Sequence, residues 1–238
     1  MAEYMRNIEL SRRMTAIANL VPKSRVVADV GCDHGFVSIY LVQNAVAEKV
    51  IAMDVNRGPL DRAGEHVEAY NLSEYIDLRL SDGLAEATPE DEIDTVVIAG
   101  MGGVLMTRIL KEAIADRGLL LPNLVLQPQS DPAMLRRFLR KYSYTIIEEK
   151  MVYEDGKYYQ ILCAVHGAER LPETNYESEL ADAFGPLLLK EKNPVLLQYL
   201  KKEIKKFENI SESMRQKGSQ DSQVEEKLEF LKKAEVLF

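Results

Sequence analysis

Four acids and three short glycine stretches carry the chemistry of this sequence. Asp29 sits within the apolar run Val26 to Val30, which opens into Gly31-Cys32-Asp33-His34-Gly35. The missing side chains at Gly31 and Gly35 let backbone approach a ligand or let a helix pack close. Asp54 closes a second apolar run, with Asn56 just beyond it. It follows Gly31 by 23 residues, the distance expected of an acid that accepts hydrogen bonds from ribose hydroxyls. A third run leads to Asp82-Gly83 and a fourth to Gly100-Met101-Gly102-Gly103. Charge then separates the nucleotides such a site can take. A carboxylate repels a pyrophosphate held by backbone donors, and the middle of the first loop is Asp33. S-adenosyl-L-methionine has no phosphate and carries a sulfonium and an ammonium, so acids around the loop suit it. Asp82 is placed to accept from the exocyclic amine of its adenine. Turn formation by Asp33 and helix capping by Asp54 are the plainer alternatives.

These residues need a sheet to hold them. Short β-branched apolar runs predict strands buried on both faces at Val26–Val30, Lys49–Met53, Ile76–Leu80, Asp94–Ala99 and Asn123–Gln127. Helical patterns cover Asn7–Leu20, ended by Pro22, then Phe36–Val46, Arg57–Tyr70, a stretch to about Asp116, and Pro132–Tyr142. This alternation implies parallel β-α-β units. Tyr144–Tyr153 and Lys157–Val165, joined by Glu154-Asp155-Gly156, predict an antiparallel hairpin. The fold class is therefore α/β, a Rossmann-like methyltransferase sheet, mostly parallel with an antiparallel last strand. Ligands of such sheets sit outside the carboxyl ends of the strands, where all four acids fall.

The tail is helical in pattern. Leu196, Leu200, Ile204 or Glu203, Phe207, Ile210 and Met214 form one apolar seam, and Val224, Leu228, Leu231 and Ala234 another. Lys217-Gly218-Ser219-Gln220-Asp221 separates them, and Ser222 with Glu225 suggests a capping box. A coiled-coil hairpin of this size is too short to stand alone, so it leans on the main domain or on a partner. The bridge from Gly167 to Asn193, with Pro172 and Pro186, has room for short helices. The expected division is a Rossmann-like domain over 1–167 and a helical C-terminal domain over 168–238.

Composition narrows the class. With 46% hydrophobic and 29% charged residues in 238, the chain reads as a soluble globular protein. No apolar run nears the ~18 residues that span a bilayer, and Met1 to Met14 has no secretory pattern. Cys32 and Cys163 offer no metal-ligand spacing, which points to a reduced, cytoplasmic protein without disulfides or metal. The net charge of −8 argues against a nucleic-acid partner until its distribution is read. From Lys190 onward there are 11 basic and 9 acidic residues, against 19 and 29 before it. Basic groups occur at Arg12-Arg13, at Arg136, Arg137, Arg140 and Lys141, and at Lys201, Lys202, Lys205 and Lys206. Each is a solvated helix face or a phosphate contact, depending on where it points.

DVGCDHG (Asp29–Gly35), MDVN (Met53–Asn56), SDGL (Ser81–Leu84), IAGMGG (Ile98–Gly103) and LQPQ (Leu126–Gln129) together resemble the bacterial tRNA (adenine-22)-methyltransferase family, over essentially the whole chain. The resemblance implies transfer of a methyl group from S-adenosyl-L-methionine to ring nitrogen 1 of adenine 22 in tRNA. Carried onto this sequence, the cofactor site comprises Gly31, Asp33, His34, Gly35, Asp54, Asn56, Asp82 and Gly83, with Gly100, Met101 and Gly102 bordering the transferred methyl. Arg13, Gly103, Gln127 and Pro128 are candidate substrate contacts, and Lys201, Lys202, Lys205 and Lys206 are expected to grip tRNA.

The chemistry can be weighed independently of the resemblance. Enzymes that methylate an exocyclic amine commonly place Asp/Asn-Pro-Pro-Tyr after the fourth strand. Gly100-Met101-Gly102-Gly103 has neither the acid nor the aromatic. A ring nitrogen offers an in-plane lone pair with no proton to remove, so in-line approach and a cation-tolerant field suffice. Asp29 is the candidate catalytic residue, as electrostatic stabiliser or cofactor orienter, unless it only anchors the loop. His34 either contacts a ligand or holds local backbone. The glycines beside Met101 leave room for a flat ring, while Tyr153, Tyr158 and Tyr159 read as strand residues. The target base must leave its stack. Expected partners are tRNA, no membrane and no metal, with the chain a monomer or weak dimer. Two other classes stay open: a methyltransferase of a small molecule or protein whose tail serves dimerisation or partner binding, and a non-catalytic nucleotide-binding module.

Overall fold

The alternation along one strand explains both layers of the core. In the computed structural model, which describes residues 7–170, 174, 178–217, 219 and 221–238, Val26 to Val30 lie in β1 (Ser24–Val30). Ala28 and Val30 face one side of the sheet and Val27 the other. The readings that touched residues 1–6, Pro172, Gly218 and Gln220 lie outside the described residues. A strand apolar on both faces needs cover on both. The helices α1 (Arg12–Ala18), α2 (Phe36–Gln43) and α3 (Arg57–Ala69) cover the Val27 side, and α4 (Gly103–Lys111) and α5 (Pro132–Lys141) the Ala28 side.

The remaining strands are β2 (Ala47–Asp54), β3 (Ile76–Leu80), β4 (Thr95–Gly102), β5 (Asn123–Ser130), β6 (Tyr144–Glu154) and β7 (Lys157–His166). Their order is β3-β2-β1-β4-β5-β7-β6. The first five strands pair in parallel, and β7 is antiparallel to both β5 and β6. Strand order reverses between β1 and β4, the switch point where open sheets take ligands. Because β6 again runs with β5, the turn Asp155-Gly156 returns to the edge where β1 and β4 end.

The α/β class, the mostly parallel sheet and the antiparallel hairpin are as the sequence predicts. Several boundaries differ, for local reasons. The first helix begins only at Arg12, because Ser11 caps it and accepts from the Met14 N–H. The strand expected to stop at Ala99 continues to Gly102, and β5 continues to Ser130. Their ladder pairs Ala99 with Gln127, Met101 with Pro128 and Gly102 with Ser130. Gly100 sits at φ +79, a backbone conformation open to glycine. After α4 the chain widens into a π turn, Glu112–Asp116.

The C-terminal elements are α6 (Glu179–Phe184), α7 (Pro186–Lys190), α8 (Pro194–Gln216) and α9 (Ser222–Glu235). They share a core with Met151 of β6, built from Phe184, Leu188, Leu196, Leu200, Ile204, Leu228, Leu231 and Ala234. The hairpin therefore leans on the sheet. The expected capping box is corrected: Asp221 caps α9 by accepting from Gln223. Glu225 is instead engaged by Ser211 Oγ at 2.6 Å and by Arg215 at 3.1 Å.

Behind α5 lies a buried polar junction. The Arg136 side chain, 1% exposed, donates to Glu149 Oε1 at 2.7 Å, to the Asp182 carbonyl at 2.8 Å and to Gln160 at 2.8 Å. Glu149 Oε2 accepts from the Leu187 N–H at 2.8 Å, at the start of α7. Arg137 and Arg140 pair with Asp182. The basic group at 136–141 is thus largely committed to internal acids, which the sequence places far away along the chain.

Candidate active site

A cleft of about 620 Å³ opens at the carboxyl ends of β1 and β4. Its floor is the β1–α2 loop, pinned where the Gly31 and Cys32 N–H groups donate to the Met53 carbonyl at 2.8 and 3.0 Å. Gly31, Asp33 and Gly35 all have positive φ, so the loop curls sharply and Asp33 is a turn residue in its own right. A Cβ on Gly31 would overlap the Met101 methyl, and one on Gly35 would stand 3.2 Å from Ala63. The first glycine thus lets the Met101 methyl pack down onto the loop. The second lets α2 close on α3. Asp54 braces the loop, accepting from Asn56 N–H at 2.8 Å and Asp33 N–H at 3.3 Å, while still lining the cleft.

Asp29 lies under this loop, 5% exposed, and accepts from Ser38 Oγ of α2 at 2.6 Å. Burial pushes its carboxyl up to about 6, opposed by the hydrogen bonds from Ser38, with nearby Asp54 adding to the rise. Burial and the same carboxylates push the Cys32 thiol up as well, so it is no nucleophile at neutral pH. The Asp29 shift has a sign in stability. Between its ordinary 3.8 and about 6 the folded state binds more proton than the unfolded, so stability falls as pH rises through that window. A rise of about two units corresponds to about 3 kcal/mol. Asp29→Asn is expected to be more stable than the parent at pH 7.5 by up to that amount, with the difference vanishing near pH 4. Urea unfolding of both proteins at the two pH values checks it, and equal differences at both would refute it.

The cleft brings together Arg13, Asp29, Gly31, Asp33, His34, Asp54, Asn56, Asp82, Gly83, Gly100 and Met101. Gly35, Gly102 and Gly103 serve packing behind it: a Cβ on Gly103 would stand 2.6 Å from the Asp131 carbonyl oxygen. Gln127 is fully buried, accepting from Arg13 Nη1 at 2.8 Å and donating to the Pro128 carbonyl at 3.0 Å. The Arg13 guanidinium also lies 5.2 Å from the Tyr159 ring centre. His34 stands 3.6 Å from the Asp33 carboxylate, and its carbonyl meets His66 Nδ1 at 2.9 Å. The His34 backbone is thus held by α3, while its side chain lines the cleft beside Asp33.

Sequence reasoning missed Arg108 and Gln129. Arg108 Nη2 donates to Asp82 at 3.1 Å and its other nitrogen pairs with Glu112 at 3.6 Å. The spacing to Glu112 was legible; no local pattern links Arg108 to Asp82. Lys201, Lys202, Lys205 and Lys206 lie outside the cleft, exposed on α8. Lys202 Nζ reaches the Gly156 carbonyl at 3.5 Å and lies 5.2 Å from the Tyr158 ring centre.

The family described as TrmK, tRNA (adenine(22)-N(1))-methyltransferase, matches residues 27–234, which include every strand from β2 to β7 and the cofactor loop. The chain belongs to this family. Among its members, the tRNA (adenine(22)-N(1))-methyltransferase of Bacillus subtilis is 34% identical over 233 residues, covering 98% of this chain and 97% of its own length. A Streptococcus pneumoniae protein solved with S-adenosyl-L-methionine superposes with a TM-score of 0.81 at 33% identity, over 95% of this chain and all of its own. TrmK of M. capricolum, solved with S-adenosyl-homocysteine, has a TM-score of 0.81 at 28% identity, over 96% of this chain and 98% of its own. The family is S-adenosyl-L-methionine-dependent, and this cleft fits that cofactor. Gly31 lets the loop backbone line the cleft without a side chain, Asp54 stands at the end of β2, and Asp33 in the loop is the wrong charge for pyrophosphate.

Proposed function

We propose that this chain methylates ring nitrogen 1 of adenine 22 in tRNA. The observation that carries the reading is the end of β4. Gly100 and Met101 border the cleft as bare strand, beside the fitted cofactor loop, and provide neither acid nor aromatic ring for amine chemistry. S-adenosyl-L-methionine, when bound, supplies an electrophilic methyl group. Asp54 accepts from its ribose hydroxyls. Asp82 is the acceptor for its adenine amine, which must compete with Arg108 for the carboxylate. Asp29 supplies negative charge beneath a cationic centre, or orients it through the loop that Ser38 helps to fix. Arg13, which lines the cleft and is oriented by Gln127 and Tyr159, holds a phosphate of the target nucleotide.

The helical part, residues 168–238, serves as the RNA-gripping part of the same frame, in a cytoplasmic monomer or weak dimer. Within its lysine face, Lys202 lies against the hairpin turn on the catalytic edge. Replacing Lys201, Lys202, Lys205 and Lys206 by Ala is expected to weaken tRNA binding by ~10-fold or more near physiological salt. The slope of log affinity against log salt should flatten by up to ~3, as phosphate contacts are lost. Filter binding at several salt concentrations reads both quantities, and unchanged affinity would remove the tail from the interface. The activity itself is tested with labelled S-adenosyl-L-methionine and unmodified tRNA. Labelled 1-methyladenine that disappears when position 22 is not adenine is the expected product; label in other positions, or none, would overturn the reading.

A further inference from the structure

The ladder between β4 and β5 leaves register twice at the cleft. Between Ala99 and Met101 it skips Gly100 on β4; one step later it skips Gln129 on β5. Bulges beside an active site re-aim a side chain. Here two on opposite strands cancel, so pairing resumes while one residue of each strand stays outside it. The two skipped residues meet. Gln129 Nε2 lies 3.7 Å, and Arg13 Nη1 3.8 Å, from the point where a Cβ on Gly100 would stand. Gly100 is thus the floor of a slot with a carboxamide and a guanidinium at its sides, and all three residues line the cleft. Arg13 is engaged by Gln127. The Gln129 side chain is exposed and has no hydrogen-bond partner among the described residues.

We propose that Gln129 reads the exocyclic amine of the target adenine. This rests on the adenine-N1 reading above and extends it to a residue that makes the choice of base. The reacting edge of adenine places the N1 lone pair beside an amine donor. With no partner to fix it, the Gln129 carboxamide can turn end for end, so that its oxygen replaces Nε2 at the slot, accepts from that amine and leaves N1 free to attack. Guanine presents the opposite pattern there, a carbonyl acceptor beside a protonated N1. The slot, bordered by glycine, carboxamide and guanidinium, offers no base to remove that proton. A polar site built for one hydrogen-bonding group rejects the analogue lacking it.

The test is a cycle of two enzymes and two substrates. The parent and Gln129→Ala are each given tRNA carrying adenine at position 22, or purine, which lacks the amine. Single-turnover rates are read at saturating cofactor. Loss of the amine weakens N1 as a nucleophile for both enzymes equally. The hydrogen bond is read from the excess loss shown by the parent, expected to be ~10-fold. Gln129→Glu, which keeps the acceptor, is expected to keep the parent's ratio. Cofactor affinity, expected unchanged in both variants, establishes that they are folded. Equal adenine-to-purine ratios in the parent and Gln129→Ala would overturn the role of Gln129 and leave the activity standing. A parent inactive on adenine 22 would overturn both.

Discussion

Asp54→Ala is expected to weaken binding of S-adenosyl-L-methionine by on the order of 10²–10⁴-fold. A carboxylate facing a ribose accepts two hydroxyl hydrogen bonds, and bonds to a charged group contribute about 1.5–3 kcal/mol each. The structure adds a second route to the same loss. Asp54 holds the N–H groups of Asn56 and Asp33, so its removal also frees the loop that forms the cleft floor. Asp54→Asn separates the two routes: its amide oxygen still braces one backbone donor while the charge is gone, and an intermediate loss is expected. Calorimetric titration with the cofactor measures both variants, and circular dichroism verifies that they fold. An affinity of Asp54→Ala within threefold of the parent would remove Asp54 from the cofactor site.

The second large effect lies far from the chemistry. Arg136→Met is expected to destabilise the protein by about 3–5 kcal/mol, because it leaves the Glu149 carboxylate charged and buried without its partner. Glu149→Gln is expected to be costly for the reciprocal reason. The double variant should cost less than the sum, by about 0.5–3 kcal/mol, as contacting residues are not additive. Space around the pair is tight as well: a Cβ on Gly185, at φ +97, would stand 2.7 Å from Glu149 Oε2. Urea unfolding of the parent, both single variants and the double variant gives the whole cycle. Single losses below 1 kcal/mol, or strict additivity, would show that the junction is not the tie between sheet and tail. The folded fraction of Arg136→Met is further expected to bind cofactor normally and tRNA poorly, since the junction joins α5 and β6 to α6 and α7.

Much of this was legible in the sequence, where cause and effect lie close along the chain. Val26 to Gly35 declared strand, loop and helix start through composition, and the spacing to Asp54 followed from the length of one β-α-β unit. Asp155-Gly156 declared the hairpin. What stayed hidden depends on contacts between distant segments. Arg136 looked like one of four cations on a helix face until Glu149 and Asp182 were brought to it. Gly100 looked like loop because a bulged strand and a loop read alike in sequence. Gln127 and Gln129 are alike in type and differ by two positions, yet one is buried behind Arg13 and the other faces the cleft. The skipped position on β5, set by its pairing with β4, decides which is which. Asp221 rather than Ser222 caps α9 because helix ends are fixed by one backbone conformation, beyond the resolution of a sequence pattern.

The return of the hairpin turn to the catalytic edge has a consequence for how a site on RNA is chosen. Two strand spacings of ~4.8 Å separate β5 from β6, and Lys202 meets the turn at the end of β6. Beyond Lys202, α8 runs on for the 14 residues Glu203 to Gln216, a length of ~20 Å. Two of its polar contacts there, Lys232 with Glu208 and Glu225 with Ser211, reach across to α9. With RNA held along that helix, the gap between grip and methyl site is fixed by covalent structure and by the Arg136–Glu149 tie. On the proposed grip, the protein would work as a ruler, picking a nucleotide by how far it lies from a docked stretch of backbone. Lengthening α8 and α9 together by two turns would move the grip without touching the cleft, and with it the reach at which an adenine is met.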